Sequence, residues 1–234
     1  LPSTLRHKTI VLAGGSGGLG SATAELLAAE EARLVISYAR DAERAARWRE
    51  TARVVEADIT RAKDRARLLD AAPELYGLAV FTGDPARGQE MEEHSWKVNF
   101  LGPLQLAREA AERLRSAGTP GAIVLTGTMQ AAALFAGSTV YAAPKAALVH
   151  SARILAKECR GPVNIRVNVV SPGVMDAGMA QASIAAGKYD RFLAEGSIPR
   201  FGHARDVARA VRFLLEPDNY ITGQVLAVDG GITL

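Results

Sequence analysis

Two side chains in the segment Val-Tyr-Ala-Ala-Pro-Lys, residues 140–145, are able to move a proton together. Tyr141 and Lys145 lie four residues apart, about one helical turn, so on a helix they share a face. A phenol ionises near pH 10 and needs electrostatic help to act near neutrality; an ammonium one turn away favours the phenolate. Polar pairs at this spacing are also ordinary neighbours on exposed helices, so the pair acquires meaning only from its surroundings. Proton transfer to a carbonyl would need a second hydroxyl beside the phenol. Thr128, two residues past the apolar run Gly-Ala-Ile-Val-Leu-Thr, carries a hydroxyl, although its methyl group restricts χ1 relative to a serine.

These groups need a frame. Short Val/Ile/Leu-rich runs at 9–13, 33–38, 53–56, 77–82, 121–126, 164–170 and 224–228 read as strands without polar alternation. Helical patterns lie between them, near 18–30, 41–50, 60–72, 90–117, 139–159 and 205–215. Buried strands alternating with helices predict an α/β fold: a single Rossmann-type, doubly wound parallel sheet of about seven strands with helices on both faces. No repeat or linker divides residues 1–234, which are read as one dinucleotide-binding domain. Residues 175–197, rich in small side chains, interrupt the rhythm after the sixth strand. They read as a substrate-covering insertion, with a plain surface connection as the alternative.

The first strand runs into Gly14-Gly15-Ser16-Gly17-Gly18-Leu19-Gly20 and then into an amphipathic helix. Such a turn brings backbone close to a pyrophosphate whose charge faces the helix N-terminus. At the end of the second strand there is no carboxylate until Asp41, and Arg40 is in reach of a ribose 2′-phosphate. NADP(H) is therefore preferred over NAD(H), which stays open, as does the reading of Arg40 as a solvent-facing side chain.

The glycine spacing, with Gly14, Gly18 and Gly20 framing Ser16 and Leu19, resembles the TGxxxGxG turn of the short-chain dehydrogenase/reductase family, Ala13 standing for the usual threonine. The resemblance extends over nearly the whole chain and is nearest to the 3-oxoacyl-[acyl-carrier-protein] reductase-like members. It implies carbonyl–alcohol oxidoreduction, with Thr128 and Tyr141 holding the carbonyl oxygen and Tyr141 giving the proton. Lys145 would lower the tyrosine pKa and bond the nicotinamide ribose. Asn99, in His-Ser-Trp-Lys-Val-Asn, would hold a water linked to that lysine. By resemblance, Asp58 and Ile59 would border the adenine, with helix capping as a second role for Asp58. Gly83, Pro172, Gly173 and Val174 would complete the cofactor site. The chain departs from the family at Thr128 (usually serine), at Ala177 (usually threonine), at Gly17 (often basic where NADP is used), and at Val80-Phe81-Thr82-Gly83, where Asn-Asn-Ala-Gly is expected. The following loop is short. These departures motivate an alternative: a catalytically weak or inactive nucleotide-binding sensor on the same scaffold.

Composition narrows the partners. The chain has 234 residues, 48% hydrophobic and 23% charged, with net charge +3 and arginines spread among acids; no basic stripe points to nucleic acid. No run of about 18 apolar residues predicts a membrane span. One cysteine, Cys159, cannot form an internal disulfide and suits a reducing, cytoplasmic setting. His7, His94, His150 and His203 lack ligand spacing, so no metal is expected. A small carbonyl or alcohol is the expected substrate, lodged among mostly small, apolar side chains from 129–137 and 175–197. By resemblance the Asp229-Gly230-Gly231 ending and the helices near 100–117 and 141–159 associate copies of the chain, as a homotetramer first and a dimer second; packing on the sheet is the other use for those helix faces.

Overall fold

The computed structural model describes residues 4–234; Leu1, Pro2 and Ser3 lie outside the described residues. Seven strands form one sheet in the order β3-β2-β1-β4-β5-β6-β7: β1 Thr9–Ala13, β2 Arg33–Tyr38, β3 Arg53–Glu56, β4 Leu75–Val80, β5 Gly121–Thr126, β6 Ile165–Pro172 and β7 Val225–Val228. Every pairing is parallel. Strand order reverses between β1 and β4, which opens a crevice at their carboxyl ends.

Helices cover both faces. On one side α1 (Gly18–Ala29) and α9 (Ala204–Leu215) pack over Ile10, Leu12, Ile36 and Val124. On the other, α3 (Ala62–Asp70), α5 (Gly102–Ser116) and α6 (Thr139–Glu158) pack over Val11, Leu78, Ile123 and Val167. Alternate residues of each strand serve opposite faces, and both faces are apolar, so the strands read as continuous hydrophobic runs.

Several boundaries differ from the sequence expectation. Strand β4 starts at Leu75, not at 77, because Leu75 pairs with Thr9 across a register shift. Strand β6 runs on to Pro172, since Ser171 and Pro172 still pair with β7. The second helix shrinks to α2 (Ala42–Ala46). The helix expected over 90–117 is interrupted: α4 (Glu92–Trp96) passes through a π-helical turn, Lys97–Leu101, before α5 begins. Pro144 sits inside α6, beyond its first turn, because the helix already begins at Thr139. The segment after β6 forms a 3₁₀ turn (Gly178–Ala180) and two short helices, α7 (Gln181–Ala185) and α8 (Asp190–Ala194). Its start is tied to the approach of α9 by a parallel bridge between Met175 and Gly202.

No helix among the described residues is long and apolar enough to cross a membrane. Cys159 is buried and burial raises its thiol pKa, so it is a poor nucleophile.

Candidate active site

A cleft of about 1030 Å³ opens where the strand order reverses. Its nucleotide end is the turn between β1 and α1. The Gly15 N–H donates to the Leu12 carbonyl at 3.0 Å, the Gly17 N–H to Gly14 at 3.1 Å, and the Ser37 hydroxyl receives the Gly14 N–H at 3.0 Å. A Cβ at Gly20 would lie 2.6 Å from the Gly14 carbonyl oxygen, so this turn closes only around glycine. Helix α1 has no side-chain cap and no acid in its first turn, which leaves its N-terminal N–H groups facing the cleft for an anion.

Gly14, Ser16, Gly18, Leu19, Gly20, Gly83, Thr128, Tyr141, Lys145, Pro172, Gly173 and Val174 all line this cleft. Thr82 lines it too, and its hydroxyl is buried without a hydrogen-bond partner. A buried orphan of this kind marks a place where a ligand belongs. The uncapped helix, the glycine turn and this hydroxyl fit a dinucleotide.

Three expected cofactor residues stand outside the cleft walls. Ile59 is turned into the core. The Asp58 carboxylate is occupied by the Thr60 N–H and hydroxyl, at 3.0 and 2.7 Å, and does not cap α3. Burial opposes its ionisation, but those bonds and the charges of Arg61 and Arg40 outweigh burial and hold its pKa below the ordinary value. Arg40 thus lies near Asp58, while Arg44 and Arg47 reach the cleft. Arg44 on α2 and Arg47 at its C-cap, three residues apart, share a face of that helix.

At the catalytic end, Thr128 follows β5 and is buried; its hydroxyl accepts the Gln130 N–H at 3.3 Å and lies near enough to the Tyr141 phenol to pull its pKa down. Lys145 is 2% exposed and donates to the Thr126 carbonyl at 2.9 Å. Burial raises the Tyr141 pKa, the Thr128 hydroxyl pulls against it, and the neighbouring Tyr189 raises it further. Burial likewise depresses Lys145 to about 8, so its ammonium is weakened in place.

Asn99 is buried in the π-helical turn. Its carboxamide oxygen accepts from the Asp84 N–H at 3.0 Å, and its two amide hydrogens go to the Asp84 carbonyl and the Ser95 hydroxyl, both at 2.9 Å. The side chain therefore clamps the loop after β4, and its amide hydrogens are already committed within the protein. Gly83 passes between this clamp and the lysine: a Cβ there would lie 3.2 Å from the Asn99 oxygen and 3.5 Å from the Lys145 nitrogen.

The substrate end is more polar than the sequence suggested. Arg87, Gln130, Lys188 and Tyr189 join the small residues in its walls. Arg87 donates to the Ser183 hydroxyl at 2.9 Å, bridging the loop after β4 to α7. Tyr189 stacks on Phe192, which meets Phe135 from the opposite loop. Among the described residues, no group of three or more His, Cys, Asp or Glu could hold a metal ion.

Residues 13–233 match the sequence profile of the family described as enoyl-(acyl carrier protein) reductase. The chain is 34% identical to carbonyl reductase family member 4 of Danio rerio, over 96% of this chain and 97% of that one. It is 31% identical to a chloroplastic NADPH-dependent aldehyde reductase-like protein of Arabidopsis thaliana, over 98% and 96%. Among solved structures it superposes on a 7α-hydroxysteroid dehydrogenase complexed with NADH and a 7-oxo bile acid at a TM-score of 0.89, with 26% identity over 97% of this chain and 94% of that one. The crevice, glycine turn and Thr–Tyr–Lys constellation accord with those matches, and the chain belongs to the short-chain dehydrogenase/reductase family of oxidoreductases.

Proposed function

We propose that this protein interconverts a carbonyl and a secondary alcohol with NADP(H) preferred over NAD(H), Tyr141 acting as the proton donor. The observation that carries the reading is that the Thr128 and Tyr141 hydroxyls line one cleft together with the buried Lys145. A bound nicotinamide supplies the hydride. Thr128 and Tyr141 orient the carbonyl oxygen, and the phenol, kept protonated by its raised pKa, gives up its proton as negative charge grows on that oxygen. Lys145 stabilises the phenolate that results and would hold the nicotinamide ribose of a bound cofactor. Asn99 holds the loop carrying Gly83 against this group, and the water that returns the proton would be placed beside it.

The NADP(H) preference rests on Arg40, with Arg44 and Arg47 adding positive charge near the cleft, and on relatives named as NADPH-dependent aldehyde reductases. The covering role of 175–197, within one domain spanning the chain, rests on its seat over the glycine turn. A Cβ at Gly18 would lie 2.9 Å from the Gly178 nitrogen. A cytoplasmic setting accords with the single buried thiol.

The test is NADPH oxidation with aldehydes, ketones, quinones and β-ketoacyl thioesters. Tyr141→Phe should retain NADPH binding and lose at least about 100-fold in kcat. Normal turnover by that variant overturns the mechanism. Tight NADPH binding by the wild type without turnover of any carbonyl favours the sensor reading, which the altered Thr82 and Ala177 positions keep in view.

A further inference from the structure

Helix α6 carries the tyrosine and the lysine, yet it has a defect between them. Pro144 lies in its interior and has no N–H, so the Val140 carbonyl, four residues earlier, has no helical partner. The proline ring also crowds that carbonyl and tilts it outward. At that point Ser95, on α4, donates its hydroxyl to the Val140 oxygen at 2.7 Å. The same hydroxyl accepts from the Asn99 amide at 2.9 Å, and both Ser95 and Asn99 are fully buried. One oxygen therefore joins the backbone just before Tyr141 to the Asn99 clamp, which in turn holds Asp84 and the loop beside Lys145.

We infer that Ser95 is a positioning residue: its hydroxyl replaces the N–H that Pro144 lacks and so sets the Tyr141 helix at a defined distance from Asn99 and the loop after β4. The physical requirement is strict. A carbonyl that has lost its helical donor and faces a buried serine needs another donor, and the buried Asn99 amide hydrogen needs an acceptor; Ser95 answers both with one donor and one lone pair. Alanine at 95 would orphan both groups. Alanine at 144 would restore an N–H for Val140 and make half of the serine's work redundant. Ser95 and Pro144 should therefore be energetically coupled although neither is a proton donor.

The catalytic part of this inference rests on the oxidoreductase reading; the coupling between Ser95 and Pro144 does not. The experiment is a double-mutant cycle of Ser95→Ala and Pro144→Ala in the full chain, read by thermal unfolding, NADPH affinity and kcat. Ser95→Ala alone should lower Tm by roughly 3–6 °C, and clearly less in the Pro144→Ala background. Equal losses in the two backgrounds overturn the inference, whether or not any carbonyl is turned over. With a turned-over substrate, Ser95→Ala should lose about ten-fold or more in kcat with NADPH affinity held within about two-fold, because small displacements of a reacting group cost rate rather than binding. Ser95→Thr, which keeps the hydroxyl, should recover part of that loss. An unaltered kcat in Ser95→Ala rejects the positioning role. Poor folding of Ser95→Ala is met by the Ser95→Thr and Ser95→Cys pair: the weak thiol donor should resemble alanine and the hydroxyl should resemble serine, and the opposite order also overturns the inference.

Discussion

Lys145 shows how function is held against stability at a single residue. It is almost fully buried, and its one hydrogen bond in the structure runs to a neutral carbonyl. Burial depresses its pKa from 10.5 to about 8. Below pH 8 both the folded and the unfolded chain carry the proton, and folding bears the whole cost of burying an ammonium. Between pH 8 and 10.5 the folded protein releases the proton first, so this cost fades and stability rises with pH across that window. A gap of this size corresponds to about 3 kcal/mol, offset in part by the bond to Thr126. Lys145→Met should therefore be inactive yet more stable than the wild type at pH 7, by about 1–2 kcal/mol. The advantage should narrow towards pH 10, as followed by chemical denaturation at each pH. A methionine variant less stable at pH 7 would contradict the argument. The lysine earns no stability; its place is explained by what it faces.

At the scale of elements, the glycine turn and the ends of the helices do the positioning. Gly20→Ala would place a methyl 2.6 Å from the Gly14 carbonyl and the Gly15 Cα, atoms of backbone that cannot step aside. NADPH affinity should fall at least about ten-fold by fluorescence titration, with the far-UV spectrum retained, because the clash is confined to the turn that meets the pyrophosphate. Helix α9 depends on a different device. Arg166 in β6 is buried and donates to the carbonyls of Leu214 and Glu216 at 2.8 and 2.6 Å, and the Tyr76 hydroxyl takes Leu215 at 2.6 Å. A cation and a phenol thus satisfy the carboxyl end of the helix from within the sheet. Strand and helix periods announced both elements, and their approximate limits were legible from apolar runs. The π-helical turn and this internal cap were not, since each depends on groups distant in sequence that meet only after the sheet forms.

For the whole molecule, apolar side chains on α5, α6 and β7 are among those left exposed on one chain. Leu101 and Ile154, 45% and 46% exposed, lie on the side of α5 and α6; Val225 and Leu226, 41% and 36% exposed, lie on β7, an edge of the sheet. An exposed edge strand invites a partner, and in the proposed homotetramer these patches would pair copies of the chain. With a chain mass of 24.7 kDa, sedimentation should report four copies. Ile154→Asp and Val225→Asp should each leave a dimer, through the untouched surface, and the double variant a monomer. A monomeric wild type would reject the homotetramer.

The chain by itself made legible a parallel α/β sheet, a glycine turn and the Tyr141–Lys145 pair, because these follow from short-range rules: strand and helix period, glycine's freedom of backbone, and the one-turn spacing of two side chains; Thr128 came from the family resemblance. Tertiary structure alone decided how those groups are charged and what holds them. Burial, a property of the packed whole, raises the tyrosine and depresses the lysine. The same packing turned Ile59 into the core, brought Arg44 and Arg47 to the cleft, and set Ser95 against a proline 49 positions away. Desolvation and long-range hydrogen bonding have no local signature, so they become visible only when the chain has closed on itself.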